Sequence, residues 1–269
     1  MVRGQFMEEV RYQKEADFHN SAYSEKLREG TWKYYDALDH SRSAYQEYLR
    51  THCKGAHVLE YGCGQNSLGR YLARHGAAEI VGIDISEVAV QQAQEVASSH
   101  GCDIATYQVM NCENLTFPQR TFDLTCGVAI LHHLNLQKGL SEIARTLRPN
   151  GSAVFREPLA YNPLVNLYRR VTPKIRTEDE HPLSMEDLAM AEKYFQKVEI
   201  RYFNLFVLLG IPFVRIPGFN RIIKILDAAD RYFLGRLGWF RKYAWTVLIV
   251  LSQPRPVPSE DSSEEKSAA

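Results

Sequence analysis

The chain has 269 residues, enough for one α/β domain with a well-buried core and insertions, and its 32 Lys and Arg are balanced by 32 Asp and Glu. That balance removes any chain-wide electrostatic reason to expect nucleic acid as a partner. Five cysteines, at 53, 63, 102, 112 and 126, are odd in number and nowhere spaced Cys-x-x-Cys, which argues against a disulfide framework or a zinc ribbon and favours a reducing, cytoplasmic setting. The start Met1-Val2-Arg3-Gly4-Gln5 leads into no apolar run, so no secretory signal is expected. No stretch reaches the ~18 apolar residues of a membrane span.

Residues 1–54 read as a polar helical cap carrying Phe18, Tyr23, Trp32, Tyr34, Tyr35, Tyr45 and Tyr48. Its aromatics are expected to pack on a sheet, with Tyr23, Trp32 or Tyr34 as the candidates for closing over a ligand. From 55 to 157 strand and helix alternate. Strands are predicted near 56–60, 79–83, 104–108, 121–126 and 152–156, and helices near 66–75, 87–99 and 138–147, which together predict a parallel sheet flanked by helices.

The chain is organised around Val58-Leu59-Glu60-Tyr61-Gly62-Cys63-Gly64, an apolar run that meets an acid and then a Gly-x-Gly turn. Glycine permits backbone angles closed to other residues and lets a ligand lie against bare peptide groups. Twenty residues past Gly64, Ile80-Val81-Gly82-Ile83 ends in Asp84. A carboxylate at the tip of the second strand of such a unit can take both hydroxyls of a ribose. The third glycine of a dinucleotide-binding turn is replaced by Ser67, and no Gly-Lys-Ser/Thr is present. A nucleoside without a bridging pyrophosphate therefore fits the turn better than a dinucleotide.

Residues 55 to 157 resemble the class I S-adenosylmethionine (SAM) dependent methyltransferases, in particular the small-molecule branch of the ubiquinone/menaquinone type. The resemblance is carried by the 58–64 motif, Asp84, Asn111-Cys112-Glu113, Phe122-Asp123-Leu124 and Leu131-His132-His133-Leu134. It implies SAM as cofactor and a Rossmann-like seven-stranded α/β sheet with helices on both faces and an antiparallel last hairpin. Glu60, Gly62 and Gly64 would hold the methionine end, Asp84 the ribose, and Asn111 and Cys112 the adenine, with Cys63, Ile85 and Val128 as further cofactor-binding positions. Asn111 stands where the family usually has Asp, and its carbonyl can still accept from the adenine amine; the alternative is that it caps a turn.

The family places the loop of His132 and His133 beside the sulfonium, where a histidine could take a proton from the acceptor. His133 is preferred over His132, and Glu157 is a further candidate base. Adjacent histidines are expected to point apart, and no other ligand stands at metal-binding spacing, so no metal is expected. The Asn/Asp-Pro-Pro-aromatic run of base-modifying enzymes is missing, which again disfavours nucleic acid.

Residues 158–195 read as a substrate-lid insertion with Arg176 and His181 as lid candidates, and Ser184-Met185-Glu186-Asp187 as a capping box. Strands six and seven are expected at 197–203 and 243–251 within a segment 196–252. Between them, 204–242 forms an apolar and basic insertion: from Arg201 to Lys242 there are eight Lys or Arg (201, 215, 221, 224, 231, 236, 241, 242) against Asp227 and Asp230. That composition suits an apolar small-molecule or lipid-like acceptor and peripheral contact with a membrane surface. Residues 253–269 are expected as a disordered tail. Rival readings are an O-methyltransferase of a soluble aromatic metabolite and a SAM-binding module without turnover.

Overall fold

The structure is a computed structural model, and it describes residues 2–24, 40–171, 181–213 and 216–256. Trp32, Tyr34, Tyr35, Arg176 and the tail from 257 onward lie outside the described residues, as does the side chain of Tyr23.

Seven strands form one sheet in the order β3-β2-β1-β4-β5-β7-β6. They are β1 (His57–Tyr61), β2 (Glu79–Asp84), β3 (Ala105–Val109), β4 (Phe122–Val128), β5 (Leu147–Pro158), β6 (Phe195–Phe203) and β7 (Thr246–Pro254). The first five pair in parallel, whereas β7 runs antiparallel to both β5 and β6. Strand order reverses between β1 and β4. In sheets of this kind a ligand crevice opens at that reversal, beyond the carboxyl ends of the strands.

The sheet is buried on both faces, and the alternation along its strands shows it. In β7, Val247, Ile249 and Leu251 join one core cluster while Leu248 and Val250 join the other. The second cluster is covered by α2 (His40–His52), through Tyr45 and Leu49, and by α3 (Gly69–Arg74), through Leu72. The first is covered by α5 (Leu136–Thr146), whose stripe of Leu140, Ile143 and Ala144 is capped by Asn135 accepting from the Lys138 N–H at 3.3 Å. Between β2 and β3 lies α4 (Glu87–Ser99), capped by the Ser86 hydroxyl, with Ala89, Ala93 and Ala97 allowing close approach to the sheet.

Several boundaries differ from the sequence-based expectation. Helix α3 begins at Gly69 and not near 66, because Glu60 ties down the preceding turn through the Leu68 N–H. Strand β5 is already paired at Leu147, opposite Phe122, with a register shift before Leu124. Strand β7 starts three residues later than expected, since Gly238–Tyr243 is a 3-10 turn, and it runs to Pro254, two residues into the expected tail.

The N-terminal residues fall into two helices with different duties. Helix α2 packs against β5, β6 and β7, while α1 (Val2–Ser24) lies against α4 and reaches the loops beyond β3 and β4. After β5 come α6 (Pro163–Val171) and α7 (Met185–Met190), the latter with the expected capping box of Ser184 and Asp187. The 204–242 segment folds as a 3-10 turn, Val207–Phe213, and α8 (Phe219–Arg236). Asp230 on α8 accepts from the N–H groups of Leu205, Phe206 and Val207 at 3.0, 2.5 and 3.4 Å, which pins the segment to the end of β6.

Candidate cofactor and acceptor site

The Gly-x-Gly turn follows β1 with both glycines in the left-handed region, Gly62 at φ 66° and Gly64 at φ 52°. A β-carbon at Gly62 would stand 2.7 Å from the Ile130 side chain, so the glycine also lets the loops after β1 and β4 close on each other. Glu60, at the same strand end, is buried and hydrogen-bonded to its own loop. It accepts from the Leu68 N–H at 2.6 Å and from the Ser67 hydroxyl, and Ser67 in turn meets Tyr107 Oη at 2.8 Å. Burial pushes the Glu60 carboxyl up to about 7 and the nearby Asp84 charge adds to the rise, while the Leu68 and Ser67 hydrogen bonds oppose it.

Asp84 ends β2 and spans the two loops. Its oxygens accept from the N–H groups of Gly64 and Ser86, each at 2.9 Å. Burial raises this carboxyl above its ordinary value, against those same bonds and the charge of His19. Each oxygen retains a second lone pair for a ligand hydroxyl. Ile85, next along the chain, is half-buried, and so is Val128 at the end of β4. Cys63 is buried, and burial drives its thiol strongly upward, so it is a packing group here and no nucleophile.

Asn111 uses its side-chain oxygen to accept from the Glu113 N–H at 2.8 Å, the turn-capping arrangement. Cys112 lies in the core behind it, its carbonyl taken by the Tyr61 hydroxyl. Glu113 then gathers four groups: Arg11 at 2.5 Å and Tyr12 at 2.9 Å from α1, the Asn135 N–H at 2.8 Å, and its own N–H on Asn111. Asn20, near the other end of α1, accepts from the Ser86 hydroxyl at 2.6 Å. Helix α1 thus crosses the ligand edge of the sheet, fastened beyond β3 at one end and beyond β2 at the other.

Beyond β4 the Ile130 and Leu131 N–H groups both reach Glu157 Oε1 at 2.9 Å, and His132 Nδ1 reaches Glu157 Oε2 at 2.8 Å. Both Glu157 oxygens are therefore committed inside the protein. Its geometry is that of a group that orients His132, and it does not face an acceptor as a base would. Because a carboxylate only accepts, Nδ1 is the donor to Glu157. The two histidines do not diverge as expected: on the 3-10 turn Leu131–His133 their rings lie 4.2 Å apart at 39°. His133 approaches Glu15 of α1, and the His181 N–H, from the lid segment, meets the His132 carbonyl at 3.2 Å. The groups that sequence reasoning missed here, Arg11, Tyr12, Glu15, His19 and Asn20, all come from α1. Their only local signal is the four-residue spacing of Glu15 and His19.

Residues 58–151 match the methyltransferase domain family. The demethylmenaquinone methyltransferase of Symbiobacterium thermophilum is 32% identical over 158 residues, covering 54% of this chain and 63% of that protein. The ubiquinone biosynthesis O-methyltransferase of Coxiella burnetii is 34% identical over 103 residues, covering 38% and 43%. Residues 58–151 are a methyltransferase domain of the SAM-dependent class. Its cofactor is SAM.

This methyltransferase domain sits in a chain that spans about half the length of the curated relatives it matches. The fold is shared more widely. Phosphoethanolamine N-methyltransferase 2 of Haemonchus contortus superposes with a TM-score of 0.59 at 16% identity, over 80% of this chain and 52% of that one. The geranyl diphosphate C-methyltransferase of Streptomyces coelicolor gives 0.55 at 15% identity, over 79% and 80%. The methyltransferase residues present here fit the cofactor: a bare glycine turn, a buried carboxylate bridging two loops at a strand tip, and a second buried carboxyl poised near neutrality.

Proposed function

We propose that this chain transfers the methyl group of SAM to an apolar, ring-bearing acceptor of the quinol or lipid type, at a surface it shares with a membrane. The observation that carries the reading is the exposed face of the 204–242 segment, which is apolar and cationic together. Leu209, Phe213, Ile225, Tyr232 and Trp239 are exposed, and on α8 Ile225 and Tyr232 share the outward stripe with Arg221, Lys224, Arg231 and Arg236. Under them an aromatic cluster of Phe206, Phe233 and Phe240 is packed with ring centroids 4.9–6.1 Å apart. Such a face suits anionic headgroups and an acceptor drawn from among acyl chains. Relatives named for menaquinone and ubiquinone synthesis support the same acceptor class.

Bound SAM supplies an electrophilic sulfonium methyl. The chain's own residues would hold and orient: Gly62 and Gly64 through their turn, Asp84 through ribose hydroxyls, and Glu60 toward the methionine ammonium. Asn111 and Cys112 would border the adenine, with Asn111 Oδ1 sharing its second lone pair. Positioning contributes most of the rate in a displacement of this kind. His132 would hold an acceptor proton, with Glu157 as its positioning residue, because a buried carboxylate holds that ring at hydrogen-bond distance.

The test is incubation of the protein with methyl-labelled SAM and two acceptors, a prenylated naphthoquinol in anionic vesicles and a soluble catechol. Label in the prenylated product alone supports the reading. Label in the catechol alone would sink the lipid-type acceptor and leave a soluble-metabolite enzyme; label in neither points to the module without turnover.

A further inference from the structure

Glu15 and His19 are one turn apart on α1, and His133 approaches them from the loop beyond β4. One ligand atom from each lies within 4.8 Å of the others. Glu15 is buried, yet neither of its oxygens takes part in a hydrogen bond. A carboxylate withdrawn from water with no hydrogen-bond donor is costly and calls for a counter-charge.

We propose that Glu15, His19 and His133 hold a divalent transition-metal ion of the zinc class, joining α1 to the β4 loop beside the acceptor side of the site. The distances separate this from a plain ion pair. A histidine that simply donates to a carboxylate does so at about 2.7–2.9 Å, as His132 does to Glu157 at 2.8 Å. Glu15 Oε2 instead stands 3.4 Å from His19 Nε2 and 3.8 Å from His133 Nδ1. Two ligands that each bind one ion at about 2.0–2.2 Å in a tetrahedron lie roughly 3.3–3.6 Å apart, the spacing seen for the first pair and approached by the second.

The ligand types agree. Two imidazoles and one carboxylate suit zinc and its first-row neighbours and leave a coordination position open. The scaffold is also prepared on both sides. Arg11 and Tyr12 fix α1 to Glu113, Asn20 fixes it to Ser86, and the His133 N–H is held on the Ile130 carbonyl at 3.0 Å. The open position would take water or an acceptor oxygen, whose acidity the ion would raise. Metal binding itself does not depend on the methyltransferase reading.

The experiment is titration of the tag-free, chelator-treated full chain with Co2+, followed by visible absorption, and with Zn2+ by competition. One equivalent should bind with d–d bands typical of nitrogen and oxygen ligands, and Zn2+ should displace it. In Glu15→Gln and His19→Ala, with folding checked by circular dichroism, affinity should fall about 100-fold or more. X-ray absorption of the zinc-loaded wild type should show two imidazoles and no sulfur, which keeps the test independent of how the variants fold. Absence of binding, unchanged affinity in both folded variants, or a sulfur ligand from one of the five cysteines would overturn the assignment. A calorimetric titration with SAM on the same metal-free protein reports on the methyltransferase reading separately.

Discussion

Glu60 illustrates how one side chain serves both fold and chemistry. Its folded carboxyl titrates near 7, above the roughly 4.3 of an exposed glutamate. Between those values the folded state binds more protons than the unfolded one, so stability falls as pH rises from about 4.5 to about 7 and levels off above. The loss attributable to Glu60 is at most about 4 kcal/mol. Denaturant midpoints of Glu60→Gln measured at pH 5 and pH 8 should therefore lie closer together than those of the wild type. An ammonium group docking at Glu60 favours its charged form, so SAM binding near pH 7 should release a proton. Calorimetry in two buffers of different ionisation enthalpy measures that release directly.

Gly62 offers a second residue-scale prediction. Gly62→Ala places a β-carbon against Ile130 at a φ of 66°, where alanine is strained. The variant should lose about 1–3 kcal/mol of stability, read from denaturant midpoints, and should bind SAM more weakly. Both positions were legible in the sequence, because a Gly-x-Gly turn with an acid before it and another twenty residues on is a local pattern. The engagement of Glu157 was not, and for Asn111 the turn cap stood as one of two readings, since whether a side chain is already spent on its own turn or on a neighbouring loop depends on backbone geometry that no spacing reports.

At the scale of elements, the strands and helices of the core were readable because apolar runs and caps are local signals. The seven-stranded sheet and its antiparallel last hairpin appear as expected. What eluded the sequence is the work of α1. It is a polar helix with no clear apolar stripe, and its contacts are hydrogen bonds to residues about a hundred positions away, such as Arg11 and Tyr12 on Glu113. The attachment of α1 through Glu113 predicts that Glu113→Ala speeds amide exchange across residues 9–21 while leaving β1 and β2 protected, measurable by hydrogen-deuterium exchange. Asp230 does comparable work for the insertion: Asp230→Ala orphans three N–H groups and should cost about 1–3 kcal/mol, seen as a lowered denaturant midpoint.

For the whole molecule, an even charge balance conceals an exposed cationic and apolar face on α8. Among the described residues no helix is long and apolar enough to cross a membrane. The chain should sediment with anionic vesicles at low salt and release as salt is raised. Arg221→Glu with Lys224→Glu should weaken that binding by roughly tenfold or more, at about 1 kcal/mol for each charge lost.

The claim on which the rest depends is that the edge formed by the loops after β1 and β2 receives SAM. Calorimetric titration of the wild type and Asp84→Ala with SAM tests it most directly. The account predicts one site in the wild type and affinity lowered about 10- to 100-fold in the variant, the cost of removing a charged hydrogen-bond acceptor. No binding to the wild type, or equal binding to both proteins, would contradict it.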